Sequence, residues 1–414
     1  MPITLNPTGK ESLDKFFDTL ARSGTLPAFA AGATSADAEL YFKTAGKKLV
    51  NDNSSEDVNA DSVFWICSMT KLVTHISALQ LIEQGKLSEE TPVAEILPQM
   101  KNPVLVADSV SRTPEVLGPI KTVLRVKHLL NHSSGLFYRY SPNFGIYHSD
   151  EYGSVHDPND PHSSFFNTLK GNLPGVPLKF EPETDFAYGY SADALGFVVE
   201  KASGKTLEDY MQENIFGPLG IMASFYLTPE LKEKLVPLSL RDSDGRLEAL
   251  RDQPGYRIIP QDPSQVSCHL GGIGLYTSLR DYLSFLRHLL QIYSGKAENP
   301  ILKLETVKSL FVPTLTEEGC NSINFITSFT SPVSASDSWS NALAVNTQDW
   351  PGRRKKNSDF WSGWAGTHYW IDPTTGVAGV FGVQLVCATS GAGDSHVVKA
   401  FDTLEETLYD GLEI

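Results

Sequence analysis

The sequence predicts an α+β fold: one sheet built from both chain ends, flanked by helices, with a mostly helical segment inserted between its halves. Three observations predict it. Two β-like runs lie near the N-terminus, at residues 29–34 and 39–44. Two more lie near the C-terminus, in "THYWIDPTTGVAGVFGVQLV", joined through 372–376 by a hairpin signal that makes them antiparallel. Between about 90 and 265 the chain is richer in Pro, Asn, Asp and short helical patterns, with few strands.

The elements follow in order. Thr8 to Glu11, "TGKE", matches a capping box ahead of an amphipathic helix over about 9–22. After the two N-terminal strands, the polar loop "NDNSSEDVNADS" leads to "FWICSMTKLVTHISALQLIEQGKL". There Met69, Leu72, Val73, Ile76, Leu79 and Ile82 fall at helical spacing, and Gly85 stands where a C-terminal cap belongs. In the insertion, "LEDYMQENIFGPLGI" reads as a helix ending at Gly217-Pro218. "LGGIGLYTSLRDYLSFLRHLLQIY" begins as a Gly-rich turn and becomes a helix with Tyr282, Phe285, Leu286 and Leu289 on its apolar face. "SHVVKAFDTLEETLYDGL" is a closing helix.

The 414 residues suffice for two structural units with a large core, and 41% hydrophobic with 20% charged residues is ordinary globular composition. A net charge of −15 argues against nucleic-acid or anionic-membrane partners. The one dense basic run, Arg353, Arg354, Lys355 and Lys356, reads as a solvated turn. The N-terminus carries no charged-then-apolar signal pattern, no stretch is long enough to span a membrane, and the C-terminus bears no sorting signal, so a cytoplasmic location is expected. Cys67, Cys268, Cys320 and Cys387 are widely separated without metal-ligand spacing, which suits free thiols in a reducing compartment.

Ser68 and Lys71 hold the first sign of chemistry. On a helix, residues i and i+3 are neighbours roughly 5–6 Å apart at Cβ, so hydroxyl and amine can share a hydrogen bond and a neutral lysine can take the serine proton. Such a four-residue match is common by itself. In "FEPETDFAYGYSADALGFVVEKASG", Tyr188 and Tyr190 precede a helix; they are two packing aromatics, or one is a phenol whose pKa lysine lowers to make a proton relay. In "FWSGWAGTHYWIDP", Gly363 inside a strand-like run signals close approach of another backbone or a ligand. A strand edge there can aim the Trp364 amide at an oxyanion, and the alternative is aromatic packing.

The order Ser-x-x-Lys, a tyrosine about 120 residues on, and a Gly-containing strand near the C-terminus resembles the serine β-lactamase and penicillin-binding-protein superfamily. The chain is most similar to its class C β-lactamase-related esterases and acyltransferases, which include fungal polyketide acyltransferases. "LRVKHLLNHSSGL", "LKFEPETDFAYGYSADALG", "ENIFGPLGI" and "GGIGLYTSLRDYLSFL" carry the likeness over nearly the whole chain. The resemblance implies a β-lactamase-like fold with a sheet domain of residues 1–90 and 266–414, a helical domain of 91–265, and an active site between them. It implies Ser68 as nucleophile, Lys71 as base and Tyr188 as catalytic tyrosine, with the amides of Ser68 and Trp364 as oxyanion hole. Trp361, Ser362 and Gly363 occupy the place of the Lys-Thr-Gly strand, and with Tyr190 they would contact substrate. Two departures bear on specificity: Tyr190 replaces an asparagine and Trp361 a lysine, which favours a neutral or bulky ester over a penicillin. Glu183 also replaces the glycine of an "F-x-P-G-T" turn, a local turn variation.

His128 and His132 are spaced as a helical metal pair, but no third ligand follows, and "HLLNHSSG" fits a structural segment. No Gly-x-Ser-x-Gly elbow exists. His75 lies beyond Lys71 on the same helix and reads as a packing or capping residue. The expectation is a hydrolase of carboxylic esters working through a Ser68 acyl-enzyme, without metal or organic cofactor, on a small-molecule ester or thioester. The alternative is an acyltransferase moving the acyl group to an alcohol. A β-lactamase, a D-amino-acid peptidase and a non-catalytic scaffold stand further off. The insert "FYRYSPNFGIYHSDEYGSVHDPNDPHSSFF" is either a wall for an acyl acceptor or a surface loop.

Overall fold

Two segments rich in alanine, glycine and valine, one from each chain end, form the centre of the sheet. In the computed structural model, which describes residues 2–111, 113–139, 150–250, 259, 264–328, 333, 336–387 and 393–413, both are buried along their length. They are β1 (Phe29–Ser35) and β7 (Val377–Gly382); the others are β2 (Glu39–Ala45), β3 (Asp337–Trp339), β4 (Ala344–Asn346), β5 (Asp359–Gly363) and β6 (Thr367–Asp372). The strand order is β3-β4-β5-β6-β7-β1-β2, antiparallel throughout. Helix α5 (Leu279–Tyr293) packs on β7 and β1 on one face, while α1 (Pro7–Ser23) and α6 (Ser395–Asp410) pair on the other. Phe17, Phe29, Trp370, Phe381 and Leu404 fill the layer beneath α1 and α6.

Helix α1 begins earlier than its capping-box motif suggests. Asn6 is its cap, with Oδ1 accepting from Gly9 N at 2.7 Å, and Pro7 opens the helix. Proline suits that position because its fixed φ matches the first turn and its missing N–H would be unpartnered there. The helix expected to stop at Gly217-Pro218 runs Leu207–Met211, widens over Gln212–Phe216 and continues as Gly217–Leu219 before Gly220 at φ 64. Pro218 is tolerated because it sits in the first turn of that last piece.

The reading of Arg353 and Arg354 as solvated is wrong. They are 4% and 0% exposed, and only Lys355 and Lys356 of that run face water. The reason is tertiary: α6 brings Glu405 beneath the turn, where Arg353 Nη2 and Arg354 Nη2 each donate to Oε2 at 2.6 Å. Arg354 also lies 4.3 Å over the Trp350 ring.

Residues 91–265 hold a small sheet, Val104–Val106 between Val116–Pro119 and Pro177–Leu178, and two further helices that matter here, α3 (Val126–Leu130) and α4 (Ser191–Ser203). Helix α2 (Thr70–Glu83) packs chiefly on α4 and is buried on every side from Thr70 to Leu81, not on one face alone. A further strand that the sequence reading passed over, Tyr276–Ser278, pairs with both Val63–Trp65 and Ala223–Ser224. It ties the segment entering α2 to the one entering α5.

Candidate active site

Ser68 lies in the single 3₁₀ turn Cys67–Met69 that leads into α2, and it is 9% exposed. The turn is braced on three sides. Ile66 N donates to Leu275 O at 3.1 Å, Leu275 N donates to Thr70 Oγ1 at 3.1 Å, and Tyr282 of α5 donates to Met69 O at 3.0 Å. Cys67 carries a φ of 48°, a left-handed conformation that costs a non-glycine residue about 1–3 kcal/mol and is held by this bracing. Its thiol is buried, and burial pushes its pKa up although the Trp364 and Ala365 amides face it. That is the setting of an inert thiol.

The end of β5 lies against the same turn. A Cβ at Gly363 would stand 2.5 Å from Ile66 O and 3.2 Å from Cys67 Cβ, so only glycine lets the strand come this close. Trp361, Ser362 and Trp364 around it are half-buried.

Lys71 is 1% exposed, and its amine has three partners: Ser68 Oγ at 3.2 Å, Tyr138 Oη at 3.2 Å and Gly272 O at 2.9 Å. Burial draws its pKa down to about 8, against the opposing pull of Asp193. Tyr138 continues into a buried chain. Its hydroxyl lies 2.7 Å from that of Tyr152, Tyr152 donates to Asp193 Oδ2 at 2.8 Å, and Asp193 Oδ1 accepts from Gly272 N at 2.8 Å. Sequence reasoning missed Tyr138, Tyr152, Asp193 and Gly272. One signal was available: Asp193 is i−4 to Phe197, a charged residue on the apolar face of α4. Tyr138 and Tyr152 belong to the insert read as wall or loop, whose residues 140–149 lie outside the described ones.

Tyr188, half-buried, accepts from Trp361 Nε1 at 2.9 Å and hydrogen-bonds with the Ser68 hydroxyl. The expectation that Lys71 lowers its pKa does not hold. The amine faces the phenol ring, 4.6 Å from its centroid, rather than the hydroxyl, and burial pushes Tyr188 up. Tyr188 is thus a proton donor at neutral pH. Tyr190, expected to touch substrate, is 1% exposed, donates to Glu151 Oε2 at 2.9 Å and packs edge-on against Tyr138; it is a packing residue behind the site. The bulk of its ring and a buried carboxylate turn it inward.

His75 and His132 back the site. His75 Nδ1 lies 2.6 Å from Lys71 O, and burial pushes it down to about 4, so it is neutral. His132 stacks on the Tyr188 ring at 5.5 Å, and His128 Nδ1 accepts from Arg125 N at 3.1 Å. These imidazoles position and pack. Altogether the site offers a hydroxyl beside an amine that titrates near neutrality, with a neutral phenol on the hydroxyl's other side.

The family model described as Beta-lactamase matches residues 13–398. The "Acyltransferase calJ" of Penicillium decumbens is 31% identical over 284 residues, 67% of this chain and 62% of that protein, so the match spans less than two thirds of the relative. The "Lovastatin esterase" of Penicillium rubens is 28% identical over 283 residues, 67% of this chain and 68% of that protein. Among solved structures, a mutant of simvastatin synthase (LovD) from Aspergillus terreus superposes with a TM-score of 0.77 at 24% identity, covering 97% of this chain and 95% of the other.

Proposed function

The chain belongs to the beta-lactamase family, and from that premise we propose that it is a serine ester hydrolase or acyltransferase working through an acyl-enzyme on Ser68. One observation carries the reading: the three neighbours of the Lys71 amine. A neutral amine has two N–H groups and one lone pair. Gly272 O can only accept, and Tyr138 is turned to accept, so the lone pair faces Ser68, the one neighbour with a proton to give. A pKa near 8 makes that neutral form accessible at physiological pH.

In the acylation step Lys71 takes the Ser68 proton as Oγ bonds to the carbonyl carbon. The carbonyl oxygen gains negative charge and is received by the Ser68 amide and, once turned from the Cys67 thiol that it faces in this structure, the Trp364 amide, each such donor contributing about 3–4 kcal/mol. The intermediate collapses, the bond to the leaving oxygen or sulfur breaks, and the Lys71 ammonium returns the proton to it. Tyr188, fixed by Trp361, donates a hydrogen bond to the departing atom. Water or an alcohol then repeats the sequence in reverse.

Trp361, half-buried and backed by the buried Trp339 4.8 Å away, puts an aromatic wall where a penicillin-recognising site would present a cation. Such a wall gains roughly 25 cal/mol per Å² of apolar surface that it covers, and it offers a carboxylate nothing. Small-molecule esters or thioesters with a sizeable apolar part are the substrates this supports. Hydrolysis is the first reading because water needs no dedicated pocket. Transfer is favoured by the acyltransferase name of the relative at 31% identity.

The test is intact-mass detection of an acyl adduct across an ester and thioester panel. An adduct on the wild-type protein, mapped to Ser68 and absent from Ser68→Ala, is expected; an adduct that survives Ser68→Ala would refute the reading. Increasing alcohol with an activated ester then separates transfer from hydrolysis.

A further inference from the structure

We propose that Asp193 is a positioning residue for acylation, acting on Lys71 through Tyr152 and Tyr138. The proposal rests on the acyl-enzyme reading above and concerns residues outside the serine, lysine and tyrosine that perform it.

The argument is one of hydrogen-bond polarity. An ionised Asp193 can only accept, so Tyr152 points its single O–H at Oδ2. That proton being committed, the 2.7 Å contact between the two phenols is made with Tyr138 donating to Tyr152. Tyr138 in turn can only accept from Lys71. The carboxylate thus sets the direction of every bond back to the amine and denies the lysine lone pair any partner but Ser68. A neutral carboxylic acid could donate to Tyr152 and reverse the chain.

Gly272 closes the ring from the other side: its carbonyl accepts from Lys71 while its amide donates to Asp193 Oδ1. A side chain there is excluded, since a Cβ would lie 2.6 Å from Asp193 Oδ2 and 2.9 Å from Oδ1. Electrostatics point the same way. When Lys71 takes the Ser68 proton, a buried ammonium forms. The groups that face it among the described residues are Ser68, Cys67, Tyr138, Tyr188, His75, His132 and Asp193, and only Asp193 is a carboxylate. Asp193 itself faces Lys71, Tyr138, Tyr152, Tyr188 and Cys268. Burial pushes the Asp193 carboxyl up, while Lys71, the Tyr152 hydroxyl and the Gly272 amide favour its ionised form, whose charge offsets the one created in the reaction.

The experiment measures the rate of Ser68 labelling by a fluorophosphonate against pH in wild-type, Asp193→Asn, Tyr152→Phe and Gly272→Ala proteins. Asn keeps the shape and loses the charge. Its acid limb is expected to have its midpoint at a proton concentration about tenfold higher or more, as removal of a nearby opposite charge requires. Its plateau should fall at least about tenfold, because a weaker base faces an unbalanced ammonium. Gly272→Ala, which displaces the carboxylate, should move the midpoint in the same direction. Tyr152→Phe should lower the plateau with a smaller movement of the midpoint. A parallel loss at every pH with an unmoved midpoint in Asp193→Asn overturns the proposal as a merely structural effect. Should that variant not fold, wild-type behaviour of Tyr152→Phe overturns it as well. No labelling of Ser68 in the wild-type protein would overturn the acyl-enzyme reading and this proposal together; labelling without these shifts overturns this proposal alone.

Discussion

Two of the protein's buried charge sites are built in opposite ways. Beneath α6, Arg353 and Arg354 meet Glu405 directly, with Asp402 as a further acceptor for Arg353 at 2.7 Å. Burial would push Glu405 up, but the two guanidiniums outweigh it and hold the carboxyl below its usual range. In the candidate site a single lysine meets its carboxylate only at a distance, through two phenols and the backbone of Gly272, and burial wins: the lysine pKa falls to about 8. Direct pairing of buried ions fixes their charge, whereas pairing at a distance leaves the charge free to change. The first arrangement docks a helix; the second can run a proton transfer.

Lys71→Ala gives the largest expected effect and tests the second half of that contrast. Ester turnover should fall at least about thousandfold, or roughly 4 kcal/mol in transition-state stabilisation, while the urea midpoint stays or rises, because an imperfectly compensated buried amine is removed. Loss of the fold on this substitution would mean that the lysine is structural.

Glu405→Gln tests the first half. It leaves the buried Arg354 guanidinium without its anion and Arg353 with Asp402 alone, and should destabilise by about 3–5 kcal/mol in urea unfolding, with no change in the pH midpoint of Ser68 labelling. The pH dependence has a definite sign. A depressed carboxylate pKa contributes stability that is complete above its unfolded value and lost as pH falls through the folded one. The wild-type protein should therefore lose stability in the acid range more steeply than the variant.

Two tyrosines two residues apart allow a finer comparison. Tyr188→Phe removes the phenol that touches Ser68 and should cost about a hundredfold in kcat/KM. Tyr190→Phe leaves Glu151 one donor short and should cost about 1–3 kcal/mol of stability with much less effect on turnover. Equal catalytic losses would contradict the separation.

Turnover against pH should fall about tenfold per unit below a midpoint near 8, as Lys71 binds its proton. A midpoint below 6 would show that another group titrates. The smallest effect is expected at Glu183, whose φ of 77° sits where a glycine is at ease. Glu183→Gly should raise stability by about 1 kcal/mol, read as Tm, less whatever its 3.7 Å contacts with Lys127 and His128 contribute.

Local pattern made much of this protein legible. The spacing of Ser68 and Lys71, the strand runs at 29–34 and 39–44, the turn at 372–376 and the lone glycine at 363 each encode their structure in a few neighbouring residues. Helical and strand periods are local properties of the backbone, so a sequence displays them directly. The proton chain is different in kind. Lys71, Tyr138, Tyr152, Asp193 and Gly272 come from four separate segments, and nothing in the neighbours of Tyr138 says that its hydroxyl will meet an amine 67 residues away. Arg353 and Arg354 misled for the same reason, since their burial is decided by where α6 lands. Sequence determined which side chains could do chemistry and the elements that carry them. Tertiary structure alone decided which of those charges are held fixed and which can move, because that depends on through-space distances and solvent exclusion that exist only once the segments have packed.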